Sequence, residues 1–366
     1  MAKIFSFWML VSVLLMASDC NPDPTPSAVL PENLMTVVEV DESTVNIVAN
    51  ADNANFYSFT FYDGSDSSYI ESSDGTASYS YSAIGVYQIV TRAHSSYYDF
   101  IEYSETVEIT DEGFTGGVPT SGYETPMSYP GMNMVWNDEF DGFELSSDWV
   151  QEIGNGSWGW GNNELEYYRS ENTTVSDGLL KITAKQEAYG GYNYTSSRIK
   201  TQGMKSFKYG RVDIRAALPY SKGIWPALWM LGDNIGTASW PGCGEIDIME
   251  MIGGSGFNDR TVYGTLHWQD NGSHANYGGS NSLPSGELFA EEFHVFSIIW
   301  DSNSIRFLRD DVQYHIMDIG GSELTEFHQN FFFIFNVAVG GNWPGSPDNT
   351  TEFPQTMAVD YVRVFQ

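Results

Sequence analysis

Glu245, Asp247 and Glu250 stand in a single apolar run, Gly244-Glu-Ile-Asp-Ile-Met-Glu-Met-Ile252. Ile246, Ile248, Met249, Met251 and Ile252 give that run the pattern of a buried strand. Burying one unpaired carboxylate costs on the order of several kcal/mol, so three in such a strand point to a purpose other than packing. In a regular strand, positions i, i+2 and i+4 share a face. Glu245 and Asp247 obey that rule, but Glu250 at i+5 would point the other way. A β-bulge absorbing one extra residue, most simply Met249, restores the parity and turns all three acids to one side. Crowded carboxylates of unequal proton affinity are what glycoside hydrolysis requires.

The chain has 366 residues, with 48 Asp and Glu against 16 Lys and Arg and a formal charge of -32. That balance disfavours nucleic acid, anionic membrane surfaces and strongly sulfated polysaccharides as partners, and favours a neutral polymer. Ten of the eleven Trp fall after residue 130. Indole faces serve both as core and as platforms for sugar rings.

Residues 1–20 read as an export signal: Lys3, then an apolar stretch from Ile4 to Met16 that is too short to span a membrane. Ala17-Ser18-Asp19-Cys20 resembles a bacterial lipoprotein cleavage box with Cys20 as the lipidated residue, although Asp19 stands where a small residue is usual. The alternative is simple secretion after cleavage near Ala17. Cys243 is the other cysteine. It reads as a buried filler without a disulfide partner.

Residues 21–31 form a Pro-rich tether. Residues 32–110 contain short alternating runs, Thr44–Ala49, Phe56–Phe61, Ala77–Tyr81, Val86–Ala93 and Glu105–Ile109, which predict a small β-sandwich. Phe59-Thr-Phe-Tyr-Asp-Gly64 and the stretch from Ala77 to Thr91 resemble a polycystic-kidney-disease-type (PKD) module of the immunoglobulin-like class, here read as a spacer. Residues 111–130, rich in Gly, Thr, Ser and Pro, read as a linker, and 131–366 as a second, larger β domain. Alternating runs such as 210–216 and 357–365, with no long amphipathic helix, predict a sandwich or jelly roll. The expected fold class is therefore all-β.

Six segments of the larger domain resemble glycoside hydrolase family 16. They are Trp136-Asn-Asp-Glu-Phe-Asp-Gly142, Gly161-Asn-Asn-Glu-Leu-Glu-Tyr-Tyr168, Trp225-Pro-Ala-Leu-Trp-Met-Leu231, Glu245-Ile-Asp-Ile-Met-Glu250, Gly264-Thr-Leu-His-Trp268 and Asn336-Val-Ala-Val-Gly-Gly-Asn-Trp-Pro-Gly345, closed by Asp360-Tyr-Val-Arg-Val364. The second and the last of the six are similar to the laminarinase-like branch, the endo-β-1,3-glucanases. The resemblance implies a jelly roll with an open cleft and a retaining double displacement. It makes Glu245 the nucleophile, Glu250 the acid/base and Asp247 the group between them that tunes both. The residues alone do not say which end is acid and which is nucleophile.

The same resemblance implies that Trp225, Trp229 and Trp240 line sugar subsites, that Asn163 and Glu164 bond sugar hydroxyls, and that His267 lies near the leaving-group side. Arg198 reads either as a site residue or as half of a surface salt bridge, and Asn163 alternatively as a turn residue. No cofactor is required for catalysis. A structural calcium on the convex face is implied, held by the backbone oxygens of Glu139 and Gly178 and the side chain of Asp360. The histidines show no His-Glu-x-x-His spacing, which argues against a catalytic zinc.

The expected substrate is a laminarin-type β-glucan, acted on by a monomer outside the cell or at its surface, with membrane contact only through the lipid anchor. Two alternatives stay open: a mixed-linkage glucan or galactan as substrate, and a non-catalytic glucan-binding protein on the same fold. Retention of both glutamates argues against the second.

Overall fold

The computed structural model describes residues 29–41, 43–63, 66–81, 85–109, 118–254 and 256–366. The expected export signal, Cys20 and most of the Pro-rich tether lie outside them. The chain divides into two units, Met1–Gly117 and Val118–Gln366.

In the first unit a three-stranded sheet runs in the order Glu32–Asp41, Thr44–Asp52, Thr76–Ser80. A four-stranded sheet runs Asp66–Ser72, Phe56–Asp63, Gly85–His94, Phe100–Ile109. Alternation sends Val45, Ile47, Ala49, Phe59, Phe61 and Ile89 inward, where they form one core with Tyr81 and Tyr87. All five strands expected here are present. The two that were not expected, Glu32–Asp41 and Asp66–Ser72, are edge strands, the second of them Ser-rich.

The second unit is a jelly-roll sandwich of an eight-stranded and a seven-stranded sheet. The seven strands follow the spatial order Ser273–Ser282, Thr261–Asp270, Glu245–Met251, Ile224–Gly232, Phe331–Val339, Arg198–Lys200, Val150–Glu152. Ile224–Gly232, which pairs with the acid-bearing strand, and Phe331–Val339, on its far side, supply much of the core. Every residue of Phe331–Val339 is buried, as expected of a continuous apolar run covered on both faces. The only α-helix among the described residues is the four-residue turn Ile235–Ala238.

The domain boundary differs from the expected one. The second unit starts at Val118, not at 131. Val118 packs with Ala217, Phe293 and Ala358. Tyr123 donates its N–H to the Phe293 carbonyl at 2.9 Å, and the Thr125 N–H reaches the Tyr361 hydroxyl at 2.9 Å. Just before them Gly122 has φ +144°, and a Cβ there would sit 2.1 Å from the Phe293 carbonyl oxygen. The Gly/Ser/Thr composition that read as linker thus serves, from 118 onward, a close backbone approach to the sandwich.

Candidate active site

The bulge is present. On one side of the acid-bearing strand Asp247 pairs with Thr265 and Glu250 with Tyr263, so Ile248 and Met249 together oppose Gly264. On the other side Met249 pairs with Leu228 and Asp247 with Trp229, which leaves Ile248, not Met249, as the extra residue. Both bulged side chains are buried in the core. Gly264 is required opposite them, because a Cβ there would lie 2.5 Å from the Phe307 ring. The result is the one parity required: Glu245, Asp247 and Glu250 all face a cleft of about 600 Å³.

Each acid has a distinct set of neighbours. Trp240 Nε1 donates to Glu245 Oε2 at 3.1 Å, and Trp225 Nε1 donates to Glu250 Oε1 at 3.0 Å. His267 Nε2 lies 3.0 Å from Asp247 Oδ2 and 3.8 Å from Glu245 Oε1. The other nitrogen of that ring, Nδ1, is 2.8 Å from His274 Nε2. Burial, then the charge of Asp247, pushes Glu245 up to about 8. The same two causes raise Glu250 to about 8. Burial alone holds Asp247 well above the usual carboxylate range. Near neutral pH the trio therefore retains protons that three exposed acids would have lost, and each member that ionises raises the proton affinity of the others, so the three do not lose their protons together.

These raised values carry a stability consequence with a definite sign. A folded-state pKa above the unfolded value leaves stability intact in acid and erodes it as pH rises from the ordinary Glu range toward about 8. Glu250→Gln removes that erosion. At pH 8 the variant should be more stable than the parent by about 1–3 kcal/mol and unfold at a higher temperature, cleft water screening part of the shift. At pH 4 the difference should vanish. Thermal unfolding at the two pH values measures it, and an equal or lower Tm at pH 8 would show that these carboxyls are not held protonated.

Of the side chains expected to contact sugar, Glu164, Arg198, Trp225, Trp229, Trp240 and His267 all line the cleft. Asn163 does not. It has φ +58° and donates to Asn342 Oδ1 at 2.8 Å, a turn role, while its neighbour Asn162 faces the cleft and donates to Glu164 Oε1 at 3.0 Å. Arg198 is no surface salt bridge. It is 9% exposed, its Nε donates to Glu152 Oε2 at 2.6 Å, and its guanidinium lies 4.4 Å from the Trp160 ring and 4.9 Å from the Trp229 ring. It braces two indoles of the cleft wall.

Trp160, Thr265, His274, Asn276, Asn336 and Trp343 also line the cleft and were not foreseen. Asn336 carried a readable signal, being the lone polar residue in Phe331–Val339. Its Oδ1 accepts from Trp229 Nε1 at 2.8 Å, and its amide reaches the Tyr168 hydroxyl at 3.2 Å, which in turn donates to Glu164 Oε2 at 3.1 Å. Behind this wall, burial and then the Glu164 charge raise the Glu166 carboxyl well above the usual range. Its Oε2 accepts the Val339 N–H at 2.7 Å. Trp343, from the Gly-Gly-Asn-Trp-Pro-Gly segment, meets Trp225 edge-on at 5.7 Å.

Of the residues expected to hold calcium, Asp360 already has a cationic partner. Asp360 Oδ2 accepts from Arg215 Nη1 at 2.7 Å, so a guanidinium already supplies the positive charge. The other expected ligands are the backbone oxygens of Glu139 and Gly178; the Glu139 side chain is held separately by Arg363 at 2.9 and 2.7 Å. Glu245, Asp247 and His267 do place three ligand atoms within 4.8 Å of one another, but these are the groups of the cleft itself. Cys243 is buried, and burial lifts its thiol to about 11, so it is a packing residue and no nucleophile.

The model of the family described as "Glycosyl hydrolases family 16" matches residues 160–363. The beta-glucanase of Rhodothermus marinus is 41% identical over 256 residues, covering 65% of this chain and 86% of that protein. The clotting factor G alpha subunit of Tachypleus tridentatus is 42% identical over 240 residues, and this chain spans only 34% of its length. Among solved structures, the laminarinase catalytic domain of Thermotoga maritima is 47% identical with a TM-score of 0.58, covering 64% of this chain and 98% of that one.

Proposed function

We infer that this chain, which belongs to the family 16 glycosyl hydrolases, is an endo-acting β-1,3-glucanase of the laminarinase type. The observation that carries this reading is the bulge at Ile248, which brings three acids of an otherwise buried strand onto one indole-walled cleft. Relatives named for β-glucan and laminarin hydrolysis support the substrate class. The test is reducing-sugar release from laminarin, mixed-linkage glucan and agarose. Fastest release from laminarin is expected, and hydrolysis confined to agarose would overturn the reading. Mixed-linkage glucan is the second candidate, since other relatives carry endo-1,3-1,4-β-glycanase names.

In the proposed reaction the Glu245 carboxylate attacks the anomeric carbon while Glu250 protonates the departing oxygen. A glycosyl-enzyme ester forms, and Glu250, now a base, draws a proton from the water that hydrolyses it. The sugar keeps its β configuration. Trp240 and Trp225 position the two carboxyls through their indole N–H groups. Asp247, shared with His267, adjusts their proton affinities. Because Glu250 must be protonated and Glu245 ionised, and both are pushed up to about 8, kcat/KM on laminarin should peak near that pH and fall above it. A rate still climbing at pH 9 would exclude Glu250 as the acid. Glycosidases of this family need no cofactor. No step here passes through a metal, so EDTA should leave kcat unchanged.

The first unit is proposed to be a PKD-like accessory module. A chain beginning at Val118 should hydrolyse soluble laminarin within about twofold of the full chain, since every cleft residue lies beyond that point. One beginning at Gly131 should be less stable, having lost the Thr125 and Tyr123 contacts with the sandwich. A large loss of kcat in the folded Val118 chain would refute the accessory role. We further propose export, with Cys20 carrying a lipid. Cys20→Ser should then move the protein from the membrane fraction to the soluble one, and identical partitioning would mean that it is secreted free.

A further inference from the structure

The outward face of the first unit's four-stranded sheet carries aromatic rings that the cleft chemistry does not use. Tyr57, Phe59 and Phe61 point into the core, so alternation puts Phe56, Ser58 and Thr60 on the opposite face. There Phe56 pairs across strands with His94, and their rings stack at 4.5 Å. Phe100 is paired to His94 on the next strand, with its ring 5.2 Å from the imidazole. Tyr97 leans on Phe56 at 5.1 Å. The group is anchored from below, because Ser58 Oγ meets His94 Nε2 at 2.8 Å in a buried hydrogen bond. Above it Tyr97 is 67% exposed, and Tyr98, its neighbour at the loop tip, is 93% exposed. Exposed rings gathered on a fixed base mark an interaction surface more often than chance packing.

The charge pattern narrows the occupant. Residues 32–109 contain thirteen Asp and Glu and one basic residue of the Lys/Arg type, Arg92. Arg92 Nε donates to Glu102 Oε2 at 3.0 Å, and its guanidinium lies 4.8 Å from the Phe100 ring. A polyanion finds no free cation on this face and meets a strong repulsive field. A neutral, hydroxyl-rich chain fits it, with its C–H faces on the rings and its hydroxyls toward the polar rim of Glu71, Arg92 and Glu102.

We propose that this face is a second polysaccharide site, which takes the neutral β-glucan on which the cleft acts and holds the enzyme on insoluble polymer. The choice of glucan rests on the functional reading above. The test uses the full chain with Glu245→Gln, so that polymer is not consumed, and measures its depletion from solution by insoluble β-1,3-glucan. Adding Tyr97→Ala and Tyr98→Ala, both at exposed positions, should weaken binding about tenfold. With Glu245 restored, the same tyrosine pair should leave kcat/KM on soluble laminarin unchanged. Undiminished depletion overturns the site. A parallel loss of soluble activity overturns it as well, since the rings would then serve the cleft. Failure of the functional reading is distinguishable: no laminarin is hydrolysed by the unaltered chain, while the tyrosines still govern retention on another neutral glycan such as cellulose.

Discussion

Glu245→Gln should abolish turnover of laminarin, lowering kcat by roughly 10⁴-fold or more, because an amide cannot take the place of the carboxylate that bonds the anomeric carbon. Glu250→Gln should lower it by about 10²–10⁴-fold, the usual worth of general acid-base help. The two variants separate by a second measurement. With an aryl glycoside whose leaving group departs without a proton, Glu250→Gln should still let Glu245 be glycosylated, releasing the aryloxide in a burst, and then stall for lack of a base. Azide, a small anion that needs no deprotonation, should restart it and give a β-glycosyl azide. Glu245→Gln should show neither burst nor rescue. Asp247→Asn should fall between the parent and these two, since it alters proton affinity without bonding to sugar. A burst from Glu245→Gln would remove its assignment as nucleophile.

The second large effect is expected one layer behind the cleft. Glu152 accepts from Arg198 Nε at 2.6 Å and from Lys200 Nζ at 2.5 Å, with all three side chains largely out of water. Burial alone would raise the Glu152 carboxyl, but Arg198 and Lys200 outweigh it and hold the carboxyl below the usual range. Glu152→Ala leaves two cations without their partner, which costs about 3 kcal/mol. For a unit of this size that is roughly 6–12 °C in Tm. Laminarin KM should rise too, because Arg198 keeps the Trp160 and Trp229 rings in place. Glu152→Gln, which keeps an acceptor but not the charge, should recover part of both losses. The sign with pH is that of a depressed carboxylate: this stability is present above the ordinary Glu range and fades as pH drops through the folded-state value. An unchanged Tm and KM in Glu152→Ala would show the pair to be incidental.

What could be read from the sequence was whatever a strand's own periodicity records. The position of Glu250 demanded a bulge, because parity on one strand is a local property. Which residue bulges was not local: the registers with both neighbouring strands pick Ile248 over Met249. The same limit explains Asn163. Asn162 and Asn163 are adjacent and chemically identical, and only the left-handed backbone at Asn163 decides that Asn162 faces the cleft. Trp343 and Trp225 lie more than a hundred residues apart and meet only because the strand Phe331–Val339 pairs with Ile224–Gly232. The boundary at Val118 was hidden because a Gly- and Ser-rich segment looks alike whether it is free or laid against a sheet. The aromatic face of the first unit was missed for a related reason. His94, Tyr97 and Phe100 lie within seven residues, but they join Phe56 on one face only through strand pairing and the turn between two strands.

The central claim is a covalent intermediate on Glu245, and the stereochemistry of the first product tests it most directly. In a double displacement each step inverts the anomeric carbon, so the sugar leaves as it entered. Proton NMR of laminarin hydrolysis, recorded before mutarotation equilibrates the ends, should show the β-anomer of the new reducing end first and the α-anomer later. The α-anomer appearing first would mean direct attack by water and would contradict the nucleophile role of Glu245.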